Sequence, residues 1–248
     1  VIDQVWSEAI SNPMVFYVKH WGTISFGNDD DYPCSRLSLF DLTPVASRQD
    51  LFDLQDELCT FEWFLENMLP TMIVAVLVLS FRRLPLSDIT YLLLFLFMTL
   101  HQTGAHYTYS NVPLGFWLQD MFGFSRNHFD RIVHFSFGFL LFYPMREVII
   151  RYVTPSSFHA GLYALSLNTA GSAIFEIIEM IVALVVNPEA GAAYLGMQGD
   201  EWDAQKDMAQ ALLGSIIAFG LTEFAVRFGL LRSFLAPRHQ TFRKPDYT

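Results

Sequence analysis

Long apolar runs constrain this chain more than any other feature. Residues 68–81 and 91–100 carry no charged side chain, and residues 132–145 carry no ionisable group of near-neutral pKa except His134. With their flanks, these runs approach the roughly 20 residues that an α-helix needs to cross a bilayer. The sequence therefore predicts an integral membrane protein with an all-α fold, a polytopic transmembrane helix bundle.

The runs and their flanks predict about five spans, separated by long loops at 106–127 and 187–202. The predicted spans cover residues 61–81, 87–105, 128–148, 158–186 and 203–231. The chain thus divides into an acidic extramembrane arm, a bundle and a basic tail, which occupy residues 1–60, 61–231 and 232–248.

Positive charge predicts the orientation of the bundle. The arginines at 82–83, Arg146, Arg151 and the basic tail fall on one side, which the positive-inside rule assigns to the cytoplasm or its organellar equivalent. The N-terminus then lies on the outer side of a bacterial inner membrane or of an equivalent organellar membrane. Cys34 and Cys59 lie outside as well, where disulfides are permitted. We predict that they pair, with two free thiols as the alternative.

The arm differs in kind from the rest of the chain. Residues 1–60 hold ten acidic and three basic side chains, and short aromatic patches in them alternate with turn signals. Such a segment does not easily form a core of its own. Either other subunits hold it or it folds back over its own bundle. The net charge of −10 argues against nucleic acid as a partner.

Acidic and imidazole side chains recur in the outer half of every predicted span, while the inner halves are almost wholly apolar. Because ionisable groups in a bilayer are costly, they normally face one another and mark a functional site. Three pairs have a spacing of three or four residues and so share a helix face. These pairs are Asp130 with His134, Glu176 with Glu179, and Asp203 with Asp207.

Histidine together with carboxylate is a ligand set for Zn, Mn or Fe. A divalent ion would offset the repulsion among the carboxylates, although Arg126 or Arg131 could do so instead. A hydrogen-bonded structural network is the first alternative, and a proton or ion path, which the apolar inner half disfavours, is the second. The candidate metal ligands are His101, His106, Asp130, His134, Glu176, Glu179, Asp200, Asp203 and Asp207.

Structural explanations exist for part of this set. Asp203 and Asp207 would also stabilise a helix N-terminus through its dipole. His101 and His106 are five residues apart and share no helix face unless His106 already lies in the loop. The two glutamates of the fourth span are the hardest to explain by packing. Some outer aromatic residues are typical of an interfacial belt, namely Tyr107, Tyr109, Trp117 and Trp202.

Long motifs at 104–139, 176–180 (EIIEM) and 196–215 carry a family resemblance. Over about residues 61–230 the chain closely resembles the bacterial inner-membrane YjdF-type proteins. It more distantly resembles VanZ-like membrane proteins, with Ala211 where Asn is usual. Residues 1–60 depart from the pattern, because family members commonly begin with another hydrophobic helix.

The resemblance implies a polytopic membrane fold and names no substrate. It also implies importance for part of the polar set, namely His106, Asp130, His134, Glu176, Glu179, Asp200, Asp203 and Asp207.

The sequence favours an accessory or structural subunit of a larger membrane complex, in contact with the lipid bilayer and joined to other subunits through residues 1–60. The alternative is a metal-dependent membrane enzyme that acts on a lipid-linked or outer-face substrate, with Glu179 or Asp130 as general base. A transporter is disfavoured. An open coordination position would favour the enzyme, whereas saturation by protein ligands would favour a structural role.

Overall fold

The computed structural model describes residues 64–229, apart from 69, 82, 85, 186–194, 196 and 197. The predictions for the acidic arm, for the Cys34–Cys59 pair and for the basic tail lie outside the described residues. They remain predictions.

Every regular element in the described part of the chain is a helix, which confirms the predicted fold class. Helices α4, α5 and α6 are each long and apolar enough to cross a membrane, whereas α1 is shorter and apolar. A span count beyond these three remains a prediction. The helices are α1 (Phe64–Ser80), α2 (Asp88–His106), α3 (Pro113–Phe122), α4 (Phe129–Tyr152), α5 (Ser157–Val185) and α6 (Asp203–Arg227).

Helix α3 lies inside the stretch that we predicted as a loop, and its end signals are visible in the sequence. Pro113 stands at its first position, where the missing N–H is tolerated and φ is already helical. Gly123 ends it with a φ of 67°. Helix α4 runs to Tyr152, beyond the predicted end at 148, so Arg146 lies within the helix rather than closing it.

Helix α4 is central, because it packs against α2, α5 and α6. Glycines bring α4 and α6 into backbone contact. A Cβ on Gly138 would lie 1.8 Å from the carbonyl oxygen of Ala211, and one on Gly214 would lie 2.2 Å from that of Phe135. Small residues at such crossings let transmembrane helices approach closely.

A buried hydrogen-bonded cluster ties three helices together near the middle of the bundle. Asn168 on α5 donates to the Gly138 carbonyl at 3.1 Å and to the Ser215 hydroxyl at 3.2 Å. Ser215 donates to the same carbonyl at 3.1 Å. Below it lies an apolar layer, made of Phe142, Ala160, Ala164 and Ala218.

The polarity of the bundle is opposite to that of a water-soluble protein. Helices α5 and α6 expose large apolar side chains, among them Ile174, Leu184 and Ile216. Polar side chains such as Asn168 and Asp207 are buried in the interior. Apolar outer faces around a polar interior match hydrocarbon as the solvent.

The expectation of an almost wholly apolar inner half was wrong at the inner ends of the helices. Arg146, 1% exposed, donates to Ser157 Oγ at 2.5 Å and to Glu223 Oε1 at 3.1 Å. Glu147 accepts from the backbone and hydroxyl of Ser87 at 2.9 and 2.8 Å. The partners come from different helices, so neighbouring residues in the sequence give no sign of the pairing.

Candidate metal centre

Three of the predicted ligands meet between α4 and α6. Asp130, His134 and Asp207 each offer a ligand atom, and these atoms lie within 4.8 Å of one another. The four-residue spacing on α4 places Asp130 and His134 on one face, as predicted. Asp207 lies two helical turns from the close contact at Gly214, which holds α6 against that face. His134 and Asp207 are both buried.

Glu176 on α5 extends this group. Its Oε1 lies 3.5 Å from His134 Nε2. Glu176 Oε1 and Asp207 Oδ1 are buried and have no hydrogen-bond partner among the described residues. Arg131 Nε is 3.9 Å from Asp207 Oδ1, beyond hydrogen-bonding distance. A buried acceptor without a partner costs about 1–3 kcal/mol, and a bound cation would supply the missing partner for both oxygens. Carboxylate oxygens together with the His134 imidazole are ligands that suit Zn, Mn or Fe.

Two other predicted ligands are held by basic side chains instead. Asp203 receives Arg126 Nη1 at 2.5 Å and Nη2 at 3.3 Å, and Arg131 Nη2 at 3.3 Å. Asp200 receives Arg131 Nη2 at 2.5 Å and Lys206 Nζ at 2.7 Å. The hydrogen bond from Lys206, and after it that from Arg131, lowers the pKa of Asp200 from its ordinary value. Arg126 and Arg131 therefore offset the charges of Asp200 and Asp203, which is the alternative to a metal ion that the sequence left open for these two residues.

A cavity lies between α1, α2, α4 and α5, beside the metal-capable group of Asp130, His134 and Asp207. It has about 620 Å³ of empty space, part of it open to the surroundings. Most of its wall is apolar, with Phe97, Met98, Phe137 and Leu141 among the lining side chains. Its polar lining consists of His101, Tyr109, Asp130, His134, Ser172 and Glu179. The cavity therefore joins a polar group to an apolar space.

The two histidines of α2 do not join the metal-capable group. Both ring nitrogens of His101 have partners, the Tyr109 hydroxyl at 2.5 Å and the Glu66 carbonyl oxygen at 3.0 Å. His106 packs edge-on against Tyr107 with ring centroids 4.8 Å apart, and it does not line the cavity. Tyr109, which the sequence assigned to an interfacial belt, instead forms part of the cavity wall.

Sequence reasoning missed the residue that fixes the start of α4. Asn127, 1% exposed, accepts from the Phe129 N–H at 3.0 Å and donates to the Val112 carbonyl at 3.0 Å. Gln198 exchanges two hydrogen bonds with the Asn127 backbone, at 3.0 and 3.1 Å. An Asn that accepts from the N–H two residues on forms an Asx-turn, a local signal that could have identified it.

Comparisons with known proteins agree with this architecture. The family described as "Predicted membrane protein (DUF2238)" matches residues 52–227, a range that contains all the candidate ligands. The inner membrane protein YjdF of Escherichia coli (strain K12) is 38% identical over 156 residues, which are 62% of this chain and 74% of that protein. No solved structure gives a significant match. The resemblance to YjdF-type proteins is thus confirmed, and the chain belongs to the DUF2238 family of predicted membrane proteins.

Proposed function

We propose that this integral membrane protein binds a divalent Zn, Mn or Fe ion through Asp130, His134 and Asp207. One observation supports this most strongly: three ligand atoms from two helices lie within 4.8 Å of one another in an otherwise apolar bundle. The unpaired oxygen of Glu176 beside them adds to the support. Imidazole with carboxylates is the ligand chemistry that these metals prefer.

An enzyme is the function that this geometry favours. Structural zinc sites usually have four protein ligands, whereas catalytic sites have three and keep one position open. The enzyme therefore requires that Glu176 stays out of the coordination sphere, which leaves Asp130, His134 and Asp207 as the three ligands. Asp130 and His134 also line the cavity, which gives a substrate a place beside the ligands. A divalent ion supplies Lewis-acid chemistry when it is bound. Glu179, on the same cavity wall, is the candidate general base for a lipid-linked or outer-face substrate.

An accessory subunit of a larger membrane complex is the second candidate, and its support comes from the sequence. Residues 1–60 are strongly acidic, and their short aromatic patches alternate with turn signals, a pattern that does not easily form an independent core. In this candidate the arm contacts other subunits and the metal ion stabilises the bundle. Crosslinking from residues 1–60 in native membranes tests it, and crosslinks confined to the chain's own bundle would count against it.

Elemental analysis of the full chain, purified in detergent and exposed to Zn, Mn and Fe, tests metal binding. We expect about one equivalent of metal per chain, as for a mononuclear site. Asp207→Asn and His134→Ala should lose it, as should the combined Glu176→Ala and Glu179→Ala variant. Asp120→Asn, at an exposed position on α3, should keep it. Equal metal content in Asp207→Asn and Asp120→Asn would contradict the proposed site.

The open coordination position can be tested separately from activity. The Co²⁺-substituted protein should change its visible absorption spectrum when a small anion such as azide is added, because an open position accepts an outside ligand. A spectrum that does not respond to azide would indicate saturation by protein ligands. That result would move the assignment from the enzyme to the structural role.

A further inference from the structure

Tyr109 is held at the cavity wall in a defined hydrogen-bonding state. His101 Nε2 lies 3.0 Å from the carbonyl oxygen of Glu66, which can only accept. In the neutral imidazole Nε2 therefore carries the hydrogen, and Nδ1 accepts the Tyr109 hydroxyl at 2.5 Å. Since its hydrogen is directed to His101, the phenol oxygen can only accept any further hydrogen bond.

The backbone that presents Tyr109 is strained. Thr108 and Tyr109 have φ values of 53° and 43°, in the left-handed region that is unfavourable for residues with a Cβ. Gly104 leaves room for the ring, because a Cβ there would lie 2.4 Å from Tyr109 Cε1. Strain of this kind clusters at ligand-binding sites.

A second observation at the same cavity also points to a ligand. Ser172 is 2% exposed and lines the cavity, and its Oγ has no hydrogen-bond partner in the described part of the chain. Buried hydroxyls normally have a partner. A polar group bound in the cavity would supply one.

The polar lining selects the chemistry of that ligand. The carboxyl groups of Asp130 and Glu179 lie close enough to repel each other when both are ionised, and a bound cation would offset that repulsion. Tyr109 adds a hydrogen-bond acceptor. The complement is a group that donates several hydrogen bonds and carries positive charge. A primary ammonium does both, whereas a phosphate or carboxylate would meet acceptors and like charge. The apolar wall at Phe97 and Phe137 requires an apolar chain on the same molecule.

We propose that this cavity binds the primary ammonium end of an amphiphilic molecule, with Tyr109 and Glu179 accepting its N–H donors and the apolar chain lying against Phe97 and Phe137. This inference deepens the proposed function, on which it rests for the role of the ligand as substrate. Binding itself depends on Tyr109, which is not a candidate metal ligand, and on Glu179, which lies outside the proposed set of Asp130, His134 and Asp207.

Native mass spectrometry of the full chain, released from detergent micelles, tests the inference with matched pairs of probes. Decylamine is compared with decyltrimethylammonium, and lysophosphatidylethanolamine with lysophosphatidylcholine. The members of each pair have the same chain and the same head charge, but only the first has N–H donors. We expect retention of the primary amine in one or both pairs and little retention of its trimethylated partner. The pair that responds identifies the source as a free amine or a lipid headgroup.

Variants assign the binding to this cavity. Tyr109→Phe keeps the ring against Gly104 and should weaken amine retention about tenfold, as for the loss of a hydrogen bond to a charged group. Tyr107→Phe removes a nearby hydroxyl that does not line the cavity, and it should change nothing. If Tyr109→Phe does not fold, Glu179→Gln replaces it, with the same loss expected.

Equal retention of the trimethylated probes, or unchanged retention in a folded Tyr109→Phe or Glu179→Gln variant, would overturn the inference. The proposed metal site is judged independently, because elemental analysis of the same samples does not depend on amine binding. Metal binding without amine preference refutes only the ligand. Amine preference in protein that binds no metal refutes only the metal centre.

Discussion

At the scale of single residues, arginine pairing separates two kinds of carboxylate at the outer ends of α4 and α6. Asp203 is enclosed by Arg126 and Arg131, and Asp200 by Arg131 and a lysine. Asp207 is one turn further along α6 from Asp203 and has an oxygen with no described hydrogen-bond partner. Asp200 and Asp203, which are hydrogen-bonded to basic side chains, hold the ends of the helices together. Asp207, 3.9 Å from Arg131 Nε but not hydrogen-bonded to it, keeps an oxygen for a ligand.

Asp203→Asn should destabilise the protein. Arg126 is 6% exposed, and the substitution removes its closest charged partner, leaving Asp200 Oδ2 at 3.8 Å. We expect a loss of about 3–5 kcal/mol in the free energy of unfolding, as when one partner of a buried ion pair is removed. Denaturant unfolding in detergent measures it. Asp120→Asn, at an exposed position, is the control, and an equal effect in both variants would contradict the buried pair.

Asp200 should make the stability depend on acid pH. Its hydrogen bonds, that from Lys206 foremost, lower its pKa in the folded state. The stabilisation is therefore complete above the unfolded pKa, about 3.9, and is lost as pH falls through the folded pKa. We expect Asp200→Asn to be less stable than wild type at pH 7, with a smaller difference below pH ~3.9. A stability difference that stays constant from pH 7 to below pH ~3.9 would show that protonation of Asp200 is not coupled to folding. Thermal unfolding of both proteins across it provides the measurement.

At the scale of helices, the contact between α4 and α6 couples packing to the candidate ligands. The backbones touch at Gly138 and Gly214, and the ligand Asp207 lies two turns from Gly214 on the same helix. A change in helix separation therefore changes the distance from Asp207 to Asp130 and His134. The small residues serve the site as well as the fold.

Gly214→Ala should loosen both the bundle and the metal site. The added Cβ would lie 2.2 Å from the Phe135 carbonyl oxygen, so the helices must separate. We expect a destabilisation of about 1–3 kcal/mol, typical of overpacking, together with weaker metal binding. Gly220→Ala on the same helix meets nothing within 4 Å and is the matched control. Unfolding and metal titration of the two variants test the coupling, which fails if they behave alike.

Helical periodicity was sufficient to predict part of the site. The spacing of Asp130 and His134 gave their shared face, and the predicted span starts at residues 87 and 203 lie close to the observed helix starts at Asp88 and Asp203. The hydrogen bond between Tyr109 and His101 could not be predicted, because it depends on a left-handed turn at two non-glycine residues.

Contacts between helices were the other part that could not be predicted. The pair of Arg146 with Glu223 joins positions 77 residues apart and depends on how two helices pack. A single sequence contains the two charges but not their distance.

At the scale of the whole molecule, charged groups lie at both ends of the bundle and differ in kind. The end predicted to be outer holds the candidate site, and the opposite end holds the Arg146–Glu223 pair. Arg131 and Arg146 lie on α4, roughly 22 Å apart along its axis at 1.5 Å per residue. That separation fits within the roughly 30 Å hydrocarbon core of a bilayer.

Cysteine labelling tests the orientation predicted from positive charge. Asp120→Cys and Arg83→Cys, each in a background with Cys34→Ser and Cys59→Ser, place single thiols at exposed positions on opposite sides. A membrane-impermeant maleimide should label position 120 in intact cells and position 83 only after permeabilisation. The reverse pattern would invert the assigned topology.

The apolar layer below the Asn168 cluster affects how ions and protons from the two sides of the membrane reach the candidate site. Phe142 and the three alanines fill the space between α4, α5 and α6 on the side of that cluster away from Asp207. We expect such a layer to exclude water, so that the candidate ligands exchange ions and protons with one compartment alone. Most of a transmembrane voltage would fall across the dry layer, so the charges of the candidate ligands would remain largely insensitive to it.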